Sequence, residues 1–410
     1  MTTTTTRLLI VGLNYAPEPT GNAPYTTGLA EALAERRFTV EVISGYPHYP
    51  AWKVFSGFSG LATSERLGGV GLRRLRHYVP RSPRLATRLL MELTFGLHSV
   101  LRGWRRPDVV LVVSPALFSA AVAIGKARLL GRPVGIWVQD LYSRGLEETS
   151  GGSSLATRAM KRLESLIFRS ASGVSVIHDR FREYVVDELN VAPDKVSVIR
   201  NWTHIEHHAK FDRDAVRARL GWLPDEVIVL HAGNMGVKQG LENVVQAAKR
   251  ADASGSNVRF VLVGDGNQRP KLEALGGGVL SLEFIGSLSA REYSEVLRAA
   301  DVLLINELAE LREMSVPSKL TSYFSAERPV VAATHFDSAT ADEIRASGAG
   351  VQVEPGNPTA LLKVCELIGT DAERARRLAN AGRPYAEAVL SADAAVAAYA
   401  SWLTKLAQRV

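Results

Sequence analysis

Two short segments set a lysine beside residues suited to holding an anion. In His231-Ala232-Gly233-Asn234-Met235-Gly236-Val237-Lys238-Gln239-Gly240, an apolar run ends and Gly233 and Gly236 expose backbone N–H groups ahead of Lys238. In Glu313-Met314-Ser315-Val316-Pro317-Ser318-Lys319, a helical pattern opens near Leu320, with Ser318 placed to cap it and Lys319 to face an anion. Exposed N–H groups, a helix N-terminus and an ammonium together suit a phosphate. Two such loops in one half of the chain favour a diphosphate. The first is not a Walker A loop, because Lys238 is followed by Gln-Gly and not by Ser or Thr. The bland alternative for Lys238 is a solvated surface lysine.

Three further segments occupy comparable positions. Gly264-Asp265-Gly266 follows the apolar run 258–263; alone it is a weak signal, since such turns occur in many folds. The loop 14–24, rich in Pro and Gly, follows the first apolar run and precedes a helical pattern, so that Gly21 and Asn22 are placed for close backbone approach to a ligand. Gln139-Asp140 ends the run 134–138, and a carboxylate there sits where a reacting group would lie; a turn-capping aspartate is the alternative.

These loops need a scaffold. Short β-branched runs at 8–13, 40–44, 109–113, 134–138, 174–177 and 196–199 alternate with helical patterns such as 25–36, 117–130 and 154–168. A second series follows at 227–232, 258–263, 280–285, 301–305, 330–333 and 350–353. The alternation predicts βαβ units and two parallel sheets, with strands covered on both faces. Ligands of such sheets bind beyond the carboxyl ends of the strands, which is where all five segments fall. The division predicted is 1–205, 206–388 and a C-terminal helix in 389–410. That helix carries an apolar stripe at Val396, Tyr399, Leu403 and Leu406, expected to cover the junction between the domains. His204, His207 and His208 fall in the linker and lack a fixed ligand spacing, so no metal site is assigned.

At 410 residues each half is large enough for its own core, and the one cysteine, Cys365, excludes an internal disulfide. The apolar run 109–124 is shorter than the ~20 residues of a membrane helix, and no cleavable signal is read at the start, so a cytoplasmic protein is expected. The net charge of +7 is uneven: from Arg66 to Arg106 there are ten arginines and a single acid, Glu92. With the amphipathic pattern at 85–97, this predicts peripheral attachment to an anionic membrane surface. A nucleic-acid partner is not expected, because no recognition motif accompanies the charge.

Taken together, the segments resemble the family-4 retaining glycosyltransferases of the GT-B fold, and among them the bacterial capsule and colanic-acid type. The resemblance spans nearly the whole chain. It is carried by Asn14-Tyr15-Ala16-Pro17-Glu18-Pro19-Thr20-Gly21, Gln139-Asp140-Leu141-Tyr142, Arg200-Asn201-Trp202, Gly233-Asn234-Met235-Gly236 with Lys238-Gln239-Gly240, Gly264-Asp265-Gly266, Pro317-Ser318-Lys319-Leu320 and Arg328-Pro329.

The resemblance implies two Rossmann-like domains facing across a cleft. The nucleotide-sugar would be held mainly by the second, and a glycan or lipid-linked acceptor mainly by the first. Neither metal nor cofactor is implied. The donor contacts would be Gly21, Asn22, Gly233, Asn234, Gly236, Lys238, Gly264, Gly266, Glu313, Pro317, Ser318 and Lys319, with Asp140, Lys238 and Lys319 as catalytic residues. The chain departs from the family twice. The family's phosphate arginine falls on Asn234, with Lys319 expected in its stead. The family's paired glutamates fall on Met314 and Ser322, leaving Glu313 as the carboxylate nearest the sugar.

Two other functions compete. A non-hydrolysing sugar-nucleotide epimerase shares the fold but needs acid–base carboxylates and histidine around the sugar. A non-catalytic nucleotide-sugar-binding partner would fit the missing glutamates and arginine. A dinucleotide-dependent dehydrogenase is poorly supported, because no G-x-G-x-x-G follows the first strand.

Overall fold

The structure is a computed structural model that describes residues 5–19, 21–81, 84–150, 155–202, 211–311 and 319–408. It divides into two units, one formed by Met1–His204 together with Ala392–Val410 and the other by Ile205–Ser391.

The sheet of the first unit has eight strands: β1 Thr6–Val11, β2 Phe38–Gly45, β3 Ala62–Leu67, β4 Val70–Leu75, β5 Val109–Ser114, β6 Val134–Val138, β7 Gly173–Val176 and β8 Val196–Val198. Their order is β3-β4-β2-β1-β5-β6-β7-β8. Every pairing is parallel except β3 with β4. The chain leaves β1 towards β2 on one side and returns to β5 on the other, so the ends of β1 and β5 flank the switch point where such sheets bind ligands. Strands β5, β6 and β7 are buried at every residue.

The hairpin β3–β4 is not among the runs expected from sequence. Its outer strand, Ala-Thr-Ser-Glu-Arg-Leu, is mostly exposed and carries no apolar alternation. What makes it is the turn: Gly68 and Gly69 both have positive φ, 54° and 79°, the requirement of a tight two-residue hairpin loop. The hairpin also disposes of part of the arginine excess. Arg74 on β4 is buried and donates to Glu65 of β3 at 2.7 Å. Arg73 donates to the Gly103 carbonyl at 3.1 Å, and Arg105 pairs with Glu41 at 3.1 Å. The basic stretch is therefore not one free cationic surface; Arg66, Arg76, Arg81, Arg84 and Arg106 remain exposed.

The C-terminal helix, Ala392–Ala407, belongs to the first unit. Its stripe of Val396, Tyr399, Leu403 and Leu406 lies in the same core as Leu8, Leu111 and Trp137. Two glycines make room for it. A Cβ on Gly135 of β6 would meet the Trp402 ring at 2.6 Å, and one on Gly173 of β7 would meet Leu406 at 3.1 Å. Trp137, Trp202 and Tyr399 stack around the same point, with ring centroids 5.0 to 6.4 Å apart.

The second unit carries β9 Val227–Ala232, β10 Val258–Val263, β11 Leu282–Ile285, β12 Val302–Asn306, β13 Val330–Ala333 and β14 Gly350–Val353, all parallel, in the order β11-β10-β9-β12-β13-β14. Here the switch point lies between β9 and β12. Strand β11 starts two residues later than the apolar run suggests, because the N–H groups of Leu280 and Ser281 donate to the Asp252 carboxylate at 2.7 and 2.8 Å instead of to a neighbouring strand. The sheet is covered on both faces by separate apolar cores.

Candidate active site

Each unit gathers its polar side chains at the carboxyl end of its sheet. In the second unit the loops after β9 and β10 meet backbone to backbone, which only glycine permits. Gly233, Gly264 and Gly266 all have positive φ, 135°, 122° and 159°. A Cβ on Gly264 would lie 2.2 Å from the Gly233 carbonyl oxygen, and one on Gly266 would lie 2.4 Å from that of Met235. Backbone bonds fix the contact: Gly233 N–H donates to Val263 O and Met235 N–H to Asp265 O, both at 2.8 Å. The loop after β9 is also tied across the switch point. Asn306, the last residue of β12, donates to the carbonyls of Gln239 and Gly240 at 2.8 and 2.9 Å and accepts from Asn243 at 2.7 Å.

Lys319 opens the helix Lys319–Ser325 and its stem crosses Gly233, where a Cβ would meet Cε at 2.7 Å. Its ammonium lies 3.0 Å from Nε2 of the buried His231, whose Nδ1 lies 3.3 Å from Leu304 O. The Nδ1–H donates to that carbonyl, so Nε2 is free to accept from Lys319. Burial brings Lys319 down to about 7, with Glu307 pulling the other way. Burial, and the charge of Lys319, hold His231 well below its ordinary value, so it stays neutral. The helix is anchored behind the lysine by Tyr323, whose hydroxyl accepts from Ala232 N–H at 2.9 Å. Lys238, by contrast, is exposed; its carbonyl accepts from Leu308 N–H at 3.1 Å, but its ammonium makes no hydrogen bond or ion pair among the described residues. Glu307, at the end of β12, accepts from Thr334 at 2.5 Å and Thr340 at 2.9 Å.

In the first unit the loop after β1 is organised by a buried carboxylate. Glu18 accepts from Asn14 Nδ2 at 2.7 Å and from the backbone N–H groups of His48 and Tyr49 at 2.7 and 2.9 Å. Gly21 has φ 68° and stands against the Tyr49 ring, where a Cβ would come to 3.5 Å. Asn22 donates to Ser114 O at 3.3 Å, bridging the loops after β1 and β5 at the switch point. Gln139 and Asn201 form a reciprocal amide pair at 2.8 and 3.2 Å. Burial raises the Tyr49 phenol; Arg88 lowers it, and Asp140, half-buried beside Gln139 in sequence, and Glu18 raise it further. The loop that follows is held by Glu164, fully buried, which accepts from the N–H groups of Tyr142 at 2.8 Å and Ser143 at 3.0 Å.

The chain matches two family models in these two regions: "Glycosyl transferase 4-like domain" over residues 20–202 and "Glycosyl transferases group 1" over residues 226–371. It is 30% identical over 331 residues to the putative colanic acid biosynthesis glycosyl transferase WcaI of Escherichia coli (strain K12), covering 77% of this chain and 80% of that one. The chain belongs to the glycosyltransferases. It is also 27% identical over 273 residues to the probable glycosyltransferase WbjE of Pseudomonas aeruginosa, covering 64% of this chain and 67% of that one.

Solved structures agree on the fold. The glycosyltransferase is similar to the sucrose-phosphate synthase of Thermosynechococcus elongatus with a TM-score of 0.74 at 18% identity, covering 98% of this chain and 99% of that one. It is similar to Anabaena HepE in complex with UDP-glucose with a TM-score of 0.71 at 15% identity, covering 97% and 99%. The architecture is GT-B, as the resemblance implies.

Of the expected donor contacts, Gly233, Asn234, Gly236, Lys238, Gly264, Gly266 and Lys319 share one end of the second sheet, while Gly21 and Asn22 lie at the switch point of the first. Glu313, Pro317 and Ser318 lie outside the described residues, as does the cluster His204, His207 and His208. Ser322, the position of the later family glutamate, is buried within its helix. Sequence reasoning passed over His231, Asn306, Glu307 and Tyr323. Asn306 and Glu307 directly follow a recognised apolar run, so the carboxyl-end rule that found Asp140 would have found them too.

Proposed function

We propose that this glycosyltransferase moves a sugar, with retention at the anomeric carbon, from a nucleoside-diphosphate sugar to a lipid-linked or polysaccharide acceptor. The observation that carries the reading is the close packing of the loops after β9 and β10 at Gly233, Gly264 and Gly266, with Lys319 laid across Gly233 and Lys238 exposed on the same loop. Backbone N–H groups and two lysines at one end of the sheet suit a diphosphate. Lys319, Lys238 and the N–H groups of the 233–240 loop would stabilise the charge that develops on it as the anomeric C–O bond breaks. The acceptor hydroxyl forms the new bond on the same face, and its proton leaves with the diphosphate. No metal enters this scheme. A relative named for colanic acid biosynthesis supports a polysaccharide product, and a structural neighbour solved with UDP-glucose supports a nucleotide-sugar donor.

The reading extends to a membrane. Among the described residues no helix is long and apolar enough to cross one. The helix Leu85–Leu101, however, is apolar on two sides. Met91, Phe95 and Gly96 face the core, while Leu90, Leu93, Leu97 and Leu101 are exposed at helical spacing. Exposed Arg81, Arg84 and Arg106 lie near its two ends in sequence. Such a face suits the interface of an anionic bilayer.

The donor class is tested by incubating the protein with GDP-, UDP-, ADP- and TDP-sugars and reading the thermal midpoint, which bound donor raises by mass action. One family of donors should protect, and with an acceptor extract it should yield a product of unchanged anomeric configuration. Protection by none, or an inverted product, would overturn the reading.

A further inference from the structure

Arg88 stands apart from the other arginines of its stretch. It lies one turn into the helix Leu85–Leu101, half-buried, and its guanidinium makes no hydrogen bond or ion pair among the described residues. Its Nε is fully shielded and has no acceptor. The residue as a whole is only half-buried, so the fold leaves a fixed cation without a carboxylate partner at a surface that an anion can reach.

The surroundings of Arg88 are aromatic and polar. Its guanidinium is 6.0 Å from the centroid of Trp52. Trp52 meets Tyr49 edge-on at 5.9 Å and His48 at 6.0 Å. Trp52 is also held at φ 51°, a left-handed backbone that a bulky side chain adopts only when its surroundings impose it. The turn around it is closed by Lys53 N–H donating to His48 O at 3.3 Å and Phe55 N–H to Pro47 O at 2.9 Å, and Glu18 holds the N–H groups of His48 and Tyr49. The charge of Arg88 is felt at Tyr49, together with that of Asp140, and at Tyr142. So two rings, Trp52 on a left-handed backbone and Tyr49 on an anchored one, and a guanidinium without an ion pair lie near the carboxylate that follows β6. Rings of this kind stack on the apolar face of a sugar, and a guanidinium fork pairs with a phosphate.

We propose that Arg88, Tyr49 and Trp52 form an acceptor subsite in the first unit that takes a phosphorylated glycosyl acceptor, the rings holding its sugar and Arg88 its phosphate. This rests on the glycosyl-transfer reading and deepens it by naming the acceptor's chemistry. The phosphate has two sources, a lipid diphosphate or a soluble sugar phosphate.

The experiment is a binding titration of the full chain with farnesyl diphosphate, farnesol and inorganic diphosphate, read by calorimetry without turnover. Farnesyl diphosphate should bind at least tenfold more tightly than farnesol. R88Q should lose at least tenfold of that affinity and R88K part of it, whereas K238A should keep it, because inorganic diphosphate at the donor loops is the competing site. Affinity in R88Q equal to wild type, or farnesol binding as well as its diphosphate, overturns the proposal. Should R88Q fail to fold, an R88K affinity identical to wild type overturns it. Arg88-dependent binding of inorganic diphosphate as tight as that of the farnesyl ester keeps the subsite and assigns it to a soluble acceptor. Because donor-sugar protection is measured separately on the same variants, failure here leaves the donor reading standing.

Discussion

The stem of Lys319 occupies the space that a side chain at residue 233 would fill: a Cβ on Gly233 would lie 2.7 Å from Lys319 Cε, and the ammonium beyond it stops 3.0 Å from His231 Nε2. The lysine is thus held against a neutral imidazole in a dry setting, which is why it sits near 7. The diphosphate of a nucleotide-sugar is fully ionised throughout the neutral range, so only the protein titrates. An anion favours the ammonium form, and free Lys319 loses its proton as pH rises through about 7. Donor affinity should therefore be flat below that pH and weaken above it, by up to about tenfold per pH unit, with proton uptake on binding. Isothermal titration from pH 6 to 9 checks this. Constant affinity across the range would remove Lys319 from the phosphate site. K238A should keep the pH slope but lose more than tenfold in turnover, roughly 1.4 kcal/mol of transition-state stabilisation.

Asp140 follows the end of β6 and its charge reaches Tyr49. Asp140→Asn keeps the shape and removes the charge. Turnover should fall by about tenfold or more while donor protection against heat persists. Full activity in this variant would refute a role at the reacting sugar.

Two glycines separate a demanded conformation from an incidental one. Gly264→Ala puts a Cβ 2.2 Å from a carbonyl oxygen at φ 122°, and should cost about 2 kcal/mol or more. Gly28→Ala lies inside the helix Ala23–Ala34 with nothing within 4 Å, and should stabilise by about 0.5–1 kcal/mol. Denaturation midpoints of the two variants should move in opposite directions.

Glu92 is buried, and that burial pushes it up to about 7, although Phe118 N–H donates to it at 3.2 Å and Arg88 is near. The folded chain then holds a proton that the unfolded chain releases at about 4.5, so stability falls as pH rises between those values. Glu92→Gln should be more stable than wild type at pH 8, by on the order of 2 kcal/mol, and little different at pH 4.5. A variant less stable than wild type at pH 8 would contradict the assignment.

The leucine face makes its own prediction. Leu93→Glu with Leu97→Glu alters only exposed positions and should leave folding intact. Sedimentation with phosphatidylglycerol vesicles at low salt should carry down wild type and not this variant, and high salt should release wild type. Equal pelleting with neutral vesicles would argue against electrostatic docking.

Much of this was legible because parallel sheets leave their ligands in predictable places. The runs that became β6, β9 and β13 could be read to the residue, since strands buried on both faces have no reason to alternate. The hairpin β3–β4 could not, because its outer strand is exposed and brings no apolar alternation to the glycine pair that turns it. The donor loops announced themselves through glycines and lysines. The first unit's cluster did not: Trp52 and Arg88 are 36 residues apart in sequence, and neither type is distinctive until the fold sets a ring beside a guanidinium. The count of arginines also misled in part, since composition does not distinguish Arg74, buried against Glu65, from an arginine free to meet a surface.

That the helix Ala392–Ala407 completes the core of the first unit bears on the order in which the protein can be made. Chains generally fold domain by domain as they leave the ribosome. Here the second unit, 205–391, can close as soon as it emerges, while the first, begun earlier, waits with the places meant for Trp402 and Leu406 open beside Gly135 and Gly173. The half synthesised first is the half finished last. A chain truncated after residue 391 and released should therefore give a protease-resistant second unit and a protease-sensitive first one.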